Sequence, residues 1–323
     1  MTIEPWYWQA IEAIDYPFPQ RMHPDIDWLE REIIAWSRTH HLVQSQEQIN
    51  HIRAMLLAEF VARANADLRR PVLRLIGLWT VWFFFLDDLT DTISSVESLA
   101  DFHLHILSAT TESITHTQEH PLISAVADLW DELRQYAGPI TQVRFYRAFV
   151  QTLEAHLWEV SNRTARVQPD SATYTAMRLW SGAFFPMIAL IDAARDFVLP
   201  SYLFEHATMR ELFDAAARAV LWYNDLWSYP KEWRTNDSPH NIVHIIAREE
   251  HLSLREAVDR VIAQHDQSLQ CFLALKQHLQ HLDGESPQVR YFVEGVADWL
   301  RATQDWSHRT IRYRTQMIGA IHT

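Results

Sequence analysis

Apolar residues recur three or four positions apart along most of the chain, which is the spacing of an α-helix. Leu29, Ile33, Ile34 and Trp36 follow this spacing, and we find no alternation of apolar and polar residues that would indicate a strand. The pattern predicts helices at residues 27–37, 46–64, 74–86, 96–110, 122–136, 140–161, 174–197 with a break near Gly182, 209–227, 254–280 and 288–314. We therefore expect an all-α bundle of about ten helices.

The helix predicted at residues 74–86 is apolar nearly all round, so it should lie inside a large bundle. Only six glycines occur in 323 residues, which also favours helices over tight hairpins. Three prolines predict an irregular segment at residues 16–25. No linker is long enough to divide the chain, so we expect residues 1–323 to form a single domain.

The net charge of −13 argues against nucleic acid and against an anionic membrane surface as partners. No stretch reaches the roughly 18 uncharged apolar residues that a membrane span needs. The first residues resemble neither a signal peptide nor a transit peptide. The single cysteine, Cys271, excludes an internal disulfide and fits a reducing compartment. We expect a cytoplasmic protein without a membrane span.

An aspartate-rich motif, DDLTD at residues 87–91, follows directly on the apolar run VWFFFL. Asp87 and Asp91 are four residues apart and share a helix face, with Asp88 about 100° round the axis. Like charges at this spacing destabilise a helix slightly, so they favour a bound cation. Mg²⁺ prefers carboxylate oxygens and often shares them with substrate phosphates. Without other motifs, a solvated acidic helix end explains the same residues.

A second set of oxygen-bearing side chains occurs at Asn224, Ser228 and Glu232. Steps of four residues place the amide, hydroxyl and carboxylate in one stripe of one helix, where together they can hold a hard cation. Lys231 is a point charge suited to phosphate. Pro230 lies inside the stripe, and an interior proline predicts a kink at this point.

Together the two motifs resemble the class I terpene synthases, in particular the bacterial terpene cyclases. DDLTD is similar to their aspartate-rich motif. NDLWSYPKE at residues 224–232 is similar to their Asn/Ser/Glu metal triad, including the lysine before the glutamate. The resemblance implies an α-helical bundle around a central apolar cavity.

Two further matches agree with this family in order and spacing. Arg178, 46 residues before Asn224, is similar to the diphosphate-sensing arginine, and Gly182 follows at the expected helix break. Arg312 and Tyr313 are similar to the terminal Arg-Tyr pair. The sequence departs from the family at Ser181, where many bacterial members have an aspartate that links the sensor to the metal site.

The resemblance implies a Mg²⁺-dependent cyclase that ionises a linear polyprenyl diphosphate and cyclises the carbocation. Three Mg²⁺ ions are expected, with Mn²⁺ as a substitute, and the enzyme would be a monomer or a homodimer. The implied metal ligands are Asp87, Asp88, Asp91, Asn224, Ser228 and Glu232. The implied diphosphate-binding residues are Arg178, Lys231, Arg312 and Tyr313, and the implied catalytic residues include Arg178 and Gly182.

A carbocation needs a dry cavity whose walls stabilise positive charge without acting as nucleophiles, which aromatic faces provide. Phe83 precedes Asp87 by one helical turn, and Phe84 is its neighbour. Trp299 and Trp306 precede the Arg-Tyr pair on the last predicted helix. We expect these four rings to line the cavity, although core packing explains any one of them equally well.

Several alternatives stay open at this stage. The bulk of Phe83 and Phe84 favours the C15 substrate farnesyl diphosphate over the C20 substrate geranylgeranyl diphosphate. A chain-elongating prenyl diphosphate synthase would carry a second aspartate-rich motif and a basic pair after the first, and neither is present. A helical scaffold or binding protein would explain the helices and the acidity, but not two oxygen-ligand stripes with placed arginines.

Overall fold

The computed structural model describes residues 4–111, 120–193, 198–235, 240–282 and 286–313, and these residues form fifteen α-helices and no strand. The helices are α1 (Pro5–Glu12), α2 (Ile26–Thr39), α3 (Gln46–Met55), α4 (Leu57–Ala64), α5 (Arg70–Thr92), α6 (Val96–Thr111), α7 (Pro121–Tyr136), α8 (Pro139–Ala165), α9 (Ser171–Ser181), α10 (Phe184–Ala189), α11 (Ser201–Phe204), α12 (Ala207–Thr235), α13 (Ile242–Glu249), α14 (Leu254–Leu282) and α15 (Pro287–Ser307). The all-α class predicted from the apolar spacing is confirmed, with more helices than expected.

One extra helix arises because the predicted helix at residues 46–64 is broken. Leu56 adopts the left-handed conformation with φ 55°, which separates α3 from α4. At the end of α3, the Met55 carbonyl accepts hydrogen bonds from Trp306 Nε1 at 2.7 Å and from Thr310 Oγ1 at 2.9 Å. Side chains from distant parts of the chain therefore satisfy the backbone at this break.

Three other helices, α1, α11 and α13, were not predicted, because α11 has only four residues and α1 and α13 have only eight, barely two turns of apolar spacing. The predicted break near Gly182 is present, since α9 ends at Ser181 and α10 begins at Phe184. Residues 194–197 and 314, which end two of the predicted helices, lie outside the described residues.

Helix α12 packs against α9, α13, α14 and α15, and it continues through Pro230 to Thr235. Proline has no N–H to donate to the carbonyl four residues earlier, which belongs to Leu226. The Tyr7 hydroxyl of α1 donates a hydrogen bond to that carbonyl instead. Helix α1 therefore compensates for the proline in the part of α12 that carries the predicted metal ligands.

Helix α5 packs against α2, α4 and α7, and its middle is buried on all sides, as its apolar sequence predicted. The three aspartates lie in its last two turns. Lys231 Nζ of α12 lies 3.7 Å from Asp91 Oδ2. The C-terminal parts of α5 and α12 therefore meet at the same end of the bundle.

Residues 14–25, which include the predicted irregular segment, form neither helix nor strand. The Tyr16 N–H donates to Gln304 Oε1 of α15 at 3.1 Å, and the Tyr16 hydroxyl donates to the Ala219 carbonyl of α12 at 3.2 Å. The segment thus joins α12 to α15. In the described part of the chain, no helix combines the length and the apolar character that crossing a membrane requires.

Candidate active site

A cavity opens between α5, α9, α12 and α15. The volume of the cavity is about 210 Å³, many times the roughly 10–15 Å³ that one water needs. On both α5 and α12, the earlier turns contribute apolar side chains to its wall and the last turns contribute polar ones. The cavity therefore has a charged end and an apolar interior.

Two of the three aspartates of the DDLTD motif, Asp87 and Asp91, line this cavity, and Asp88 is not part of its wall. One carboxylate oxygen from each of the three lies within 4.8 Å of the others. The Arg312 guanidinium donates to Asp87 Oδ2 at 2.5 Å and to Asp88 Oδ1 at 3.1 Å. Such a tight group of carboxylate oxygens suits a hard cation.

Nearby positive charges keep the carboxylate of Asp87 ionised. Burial raises the pKa of Asp87, but Arg312, together with His156, Lys231 and Arg178, holds that pKa below its ordinary value. For the arginine, burial lowers the pKa, and Asp87 and Asp88 together raise it above the ordinary value. Asp87 is therefore charged at neutral pH, as a metal ligand must be.

Three side chains of α12 line the cavity along one stripe: Asn224, Ser228 and Glu232. The Asn224 amide donates from Nδ2 to the Tyr313 hydroxyl at 2.6 Å and accepts at Oδ1 from Arg178 Nη2 at 2.8 Å. Glu232 Oε2 accepts from Asn241 Nδ2 at 2.7 Å. The stripe is thus hydrogen-bonded to α9, to α13 and to the residues after α15.

The electrostatics at Glu232 fit a bound cation. Burial and the negative charge of Asp225 raise the pKa of Glu232 to about 8, although hydrogen bonds from Ser228 and Asn241 lower it. A buried carboxylate with too little positive charge around it is stabilised by a divalent cation. An amide, a hydroxyl and a carboxylate are also the oxygen donors that Mg²⁺ binds.

Arg178 reaches from α9 to Asp225, the residue next to Asn224. Its Nε and Nη2 lie 3.0 Å and 2.9 Å from Asp225 Oδ1. The other oxygen, Oδ2, accepts from the Tyr174 hydroxyl at 2.6 Å and from the Ile242 N–H at 3.1 Å. Burial lowers the pKa of Arg178, but Asp225, together with Tyr174, Glu159 and Glu232, raises it well above its ordinary value. Asp225 is 1% exposed and therefore positions the arginine from beneath the cavity wall.

The four predicted aromatic residues all line the cavity: Phe83, Phe84, Trp299 and Trp306. Phe84 meets Trp306 edge to face with the ring centroids 5.6 Å apart. Phe60, which the sequence did not single out, stacks on Trp306 at 5.0 Å. Gly182 also lines the cavity, at a point where a Cβ would collide with Leu221 of α12.

Several polar residues at the site were missed by the sequence analysis. Tyr174 lies one turn before Arg178 on the same helix face, a signal that the sequence did carry. His156 and Glu159 line the cavity from α8, and Asn241 caps the N-terminus of α13. No motif marks these three residues, because only the packing of α8 and α13 brings them to the site.

An all-α bundle in which an aspartate-rich turn and an Asn/Ser/Glu stripe share one aromatic-lined cavity defines a class I terpene synthase, an enzyme that acts on diphosphate substrates. The chain belongs to terpene synthase family 2, since the family model described as "Terpene synthase family 2, C-terminal metal binding" matches residues 78–271. This description agrees with the two oxygen-rich ligand sets.

Similar proteins extend over nearly the whole chain. The (+)-T-muurolol synthase of Roseiflexus castenholzii, described as cyclizing (2E,6E)-farnesyl diphosphate, is 30% identical over 92% of each chain. The germacrene A synthase of Nostoc punctiforme is 23% identical over 92% of this chain and 93% of its own. The crystal structure of the linalool/nerolidol synthase from Streptomyces clavuligerus superposes with a TM-score of 0.81 at 20% identity, covering 91% of this chain and 100% of that one. The fold is thus that of the class I terpene synthases.

Proposed function

We propose that the protein is a Mg²⁺-dependent sesquiterpene cyclase that converts farnesyl diphosphate into a cyclic sesquiterpene and diphosphate. The observation that carries this proposal is the single cavity, which combines oxygen ligands from α5 and α12 with basic side chains and with aromatic walls. The names of the relatives support the substrate, since the T-muurolol and 4-epi-cubebol synthases are both described as cyclizing (2E,6E)-farnesyl diphosphate.

The metal ligands come from two helices: Asp87, Asp88 and Asp91 from α5, and Asn224, Ser228 and Glu232 from α12. Bound Mg²⁺ would supply a Lewis acid for the oxygens of the leaving diphosphate. Asp87 and Asp88 also share the guanidinium of Arg312. Asn241 orients Glu232 by donating to its carboxylate.

Four residues donate hydrogen bonds to the diphosphate as it leaves: Arg178, Lys231, Arg312 and Tyr313. The guanidinium groups of Arg178 and Arg312 are already fixed by carboxylates, so they lose little freedom when the substrate binds. Hydrogen bonds from charged donors strengthen as negative charge grows on the diphosphate. These residues therefore favour ionisation over simple binding.

The aromatic walls guide the carbocation that ionisation creates. Phe83, Phe84, Trp299 and Trp306 present rings to the interior, where their faces stabilise a cation and keep water away. Gly182 lets the break between α9 and α10 approach Leu221 of α12 closely. The product skeleton depends on the shape that these residues give the interior.

We also propose the number of bound metal ions, the domain organisation, the compartment and the oligomeric state that the sequence analysis predicted. Three Mg²⁺ ions, replaceable by Mn²⁺, bind with the diphosphate. Residues 1–323 form one domain, which one continuous cluster of buried apolar residues from α1 to Tyr313 supports. The enzyme works in the cytoplasm as a monomer or a homodimer.

The test is incubation of the purified protein with the C10, C15 and C20 prenyl diphosphates, followed by gas chromatography and mass spectrometry. We expect a cyclic C15 product with Mg²⁺, less turnover with Ca²⁺, and none with EDTA, because phosphates complete the octahedral shell that Mg²⁺ demands. Preference for the C20 substrate would identify a diterpene cyclase. Diphosphate release in excess EDTA would contradict the metal mechanism.

A further inference from the structure

The end of α5 that carries the aspartate-rich motif is a place where a helix tolerates negative charge poorly. Asp87, Asp88 and Asp91 lie in its last two turns, beside the negative end of the helix dipole. The last four carbonyls of a helix also lack partners within the helix. The last turn of α5 contains no basic residue. This helix end therefore needs positive charge and hydrogen-bond donors from another part of the chain.

Arg163 of α8 provides both. Its Nη2 donates hydrogen bonds to the Thr90 carbonyl at 2.7 Å and to the Ile93 carbonyl at 3.0 Å. Thr90 lies in the last turn of α5, and Ile93 is the residue that caps the helix. Asp91 lies between these two carbonyls in the sequence, so one guanidinium holds the backbone on both sides of it.

The same face of α8 also holds the end of α9. His156 Nε2 donates to the Ser181 carbonyl at 3.1 Å, and one turn earlier the Thr152 hydroxyl donates to the Trp180 carbonyl at 3.1 Å. Arg163 follows His156 by about two turns of the helix, so these side chains share a face. Helix α8 therefore donates to the carbonyl ends of two helices, one with the aspartate-rich motif and one with the predicted diphosphate-sensing arginine.

We propose that Arg163, which lines the active-site cavity, is a positioning residue for the metal site. By binding the Thr90 and Ile93 carbonyls, it holds the carboxylates of α5 where a divalent cation needs them. This inference rests on the proposed function. Ligands that are held in place before the metal arrives lose less conformational freedom on binding, so the metal binds more tightly. Without Arg163, the metal itself would have to order the last turn of α5.

The experiment compares Arg163→Met, which removes the charge and every donor, with Arg163→Lys, which keeps the charge but lacks the planar fork. The matched control is Thr164→Val. Thr164 is the next residue of α8, and its hydroxyl donates to the Ser94 carbonyl at 3.2 Å, so it also connects α8 to the segment after α5. Circular dichroism checks that each variant is folded.

Two readouts report on the metal. The first is the midpoint of thermal unfolding at a fixed concentration of inorganic diphosphate and increasing Mg²⁺, since ligands that bind the native state raise this midpoint without any catalysis. The second is the Mg²⁺ concentration that gives half of the maximal rate with farnesyl diphosphate. A role in stability alone would lower the midpoint without metal and leave both Mg²⁺ requirements unchanged.

We expect Arg163→Met to need about 10–100 times more Mg²⁺ in both readouts, the usual scale for groups that orient metal ligands. Arg163→Lys should need about three to ten times more, because a point charge keeps part of the interaction. Thr164→Val should stay within about twofold of the wild type, because Ser94 lies beyond the end of α5. At saturating Mg²⁺, kcat of Arg163→Met should return to within about threefold of the wild type, because Arg163 acts through the metal ligands.

An unchanged Mg²⁺ requirement in folded Arg163→Met would overturn the inference, and if only Arg163→Lys folds, the same result in that variant would overturn it. An equal rise in Thr164→Val would do so too, because any contact between α8 and this segment would then suffice. A kcat that stays low at saturating Mg²⁺ would place Arg163 on the diphosphate and overturn the positioning role. If Mg²⁺ and inorganic diphosphate never stabilise the wild type, the proposed metal site is refuted instead, so the two failures are distinguishable.

Discussion

Arg178 connects a buried carboxylate to the cavity, because its guanidinium contacts both Asp225 and Asn224. Tyr174 and the N–H of Ile242 hold Asp225 from the other side. The arginine therefore has a fixed orientation before any substrate arrives. If Arg178 were a surface charge, neither the burial of Asp225 nor its three partners would be needed.

We expect Arg178→Lys to lower kcat by at least about tenfold, equivalent to about 1.4 kcal/mol, with a smaller change in KM. Lysine keeps the positive charge but cannot contact Asp225 and Asn224 at once. Because that charge remains, the free energy of unfolding should fall by less than the about 3–5 kcal/mol lost when a buried charge is left unpaired. Steady-state kinetics and thermal unfolding measure both effects. Wild-type kinetics would leave Arg178 only the structural role of balancing Asp225.

Asn241 makes three side-chain hydrogen bonds: its Oδ1 caps α13 at the Val243 N–H, and its Nδ2 donates to Glu232 and to the Asp225 carbonyl of α12. Asn241→Ser retains a capping oxygen but loses the donor to Glu232. We expect this variant to fold normally and to need about 10–100 times more Mg²⁺ for half-maximal rate, the usual scale for residues that orient metal ligands. Asn241→Ala should lose the cap as well. A serine variant with unchanged Mg²⁺ dependence would show that Asn241 serves only α13.

The sequence identified the α12 stripe because a four-residue spacing on one helix fixes which side chains share a face. It missed Tyr174 and Asn241, since their contacts with Asp225 and Glu232 depend on helix packing that the spacing does not encode. Asp88 illustrates the same limit. It belongs to the DDLTD motif, yet the motif does not indicate its ion pair with Arg312, which follows 224 residues later.

Among the helices, the break between α9 and α10 depends on two neighbouring residues: Gly182 has no space for a side chain, and Ala183 has a backbone conformation that favours glycine. Gly182 lies so close to α12 that a Cβ would collide with Leu221, and Ala183 adopts φ 53° in the left-handed region. The first position needs glycine for space. The left-handed backbone of Ala183 costs conformational energy for a residue with a Cβ, and glycine at this position would remove that cost.

We expect Gly182→Ala to destabilise the protein by about 1–3 kcal/mol, the usual cost of overpacking, and to lower kcat because Arg178 lies one turn before the break. Ala183→Gly is the matched control and should leave the free energy of unfolding within about 1 kcal/mol of the wild type. Thermal unfolding and turnover of farnesyl diphosphate are the measurements. Equal stability of both variants would mean that Leu221 moves aside freely.

Helix boundaries were predicted where glycine, proline or polar residues mark them. They were missed where contacts with distant residues determine the end of a helix. The break at Leu56 lies among good helix formers and is satisfied by Trp306 and Thr310, which follow some 250 residues later. Pro230 does not end α12, since the helix continues through it to Thr235, with Tyr7 bonded to the carbonyl that proline leaves. Local sequence contains no record of either distant partner.

In the whole molecule, the polar ends of α5 and α12 meet and their apolar turns enclose the interior. The all-α class could be predicted because helical spacing repeats over many turns. The mutual placement of the two ligand sets was an expectation from the resemblance, since no periodicity states which helix ends come together. Residues of the N-terminal part of the chain secure α12, as the hydrogen bonds of Tyr7 and Tyr16 to its carbonyls illustrate.

One aromatic ring, that of Phe84, belongs both to the apolar wall of the cavity and to its charged end, because the Arg312 guanidinium lies over it. A phenylalanine codon becomes a serine, cysteine or leucine codon by a single base change, and each of these side chains is smaller. Such a change would reshape the cavity and at the same time remove the support beneath Arg312. At this position, one point mutation would therefore alter the interior of the cavity only together with its diphosphate end.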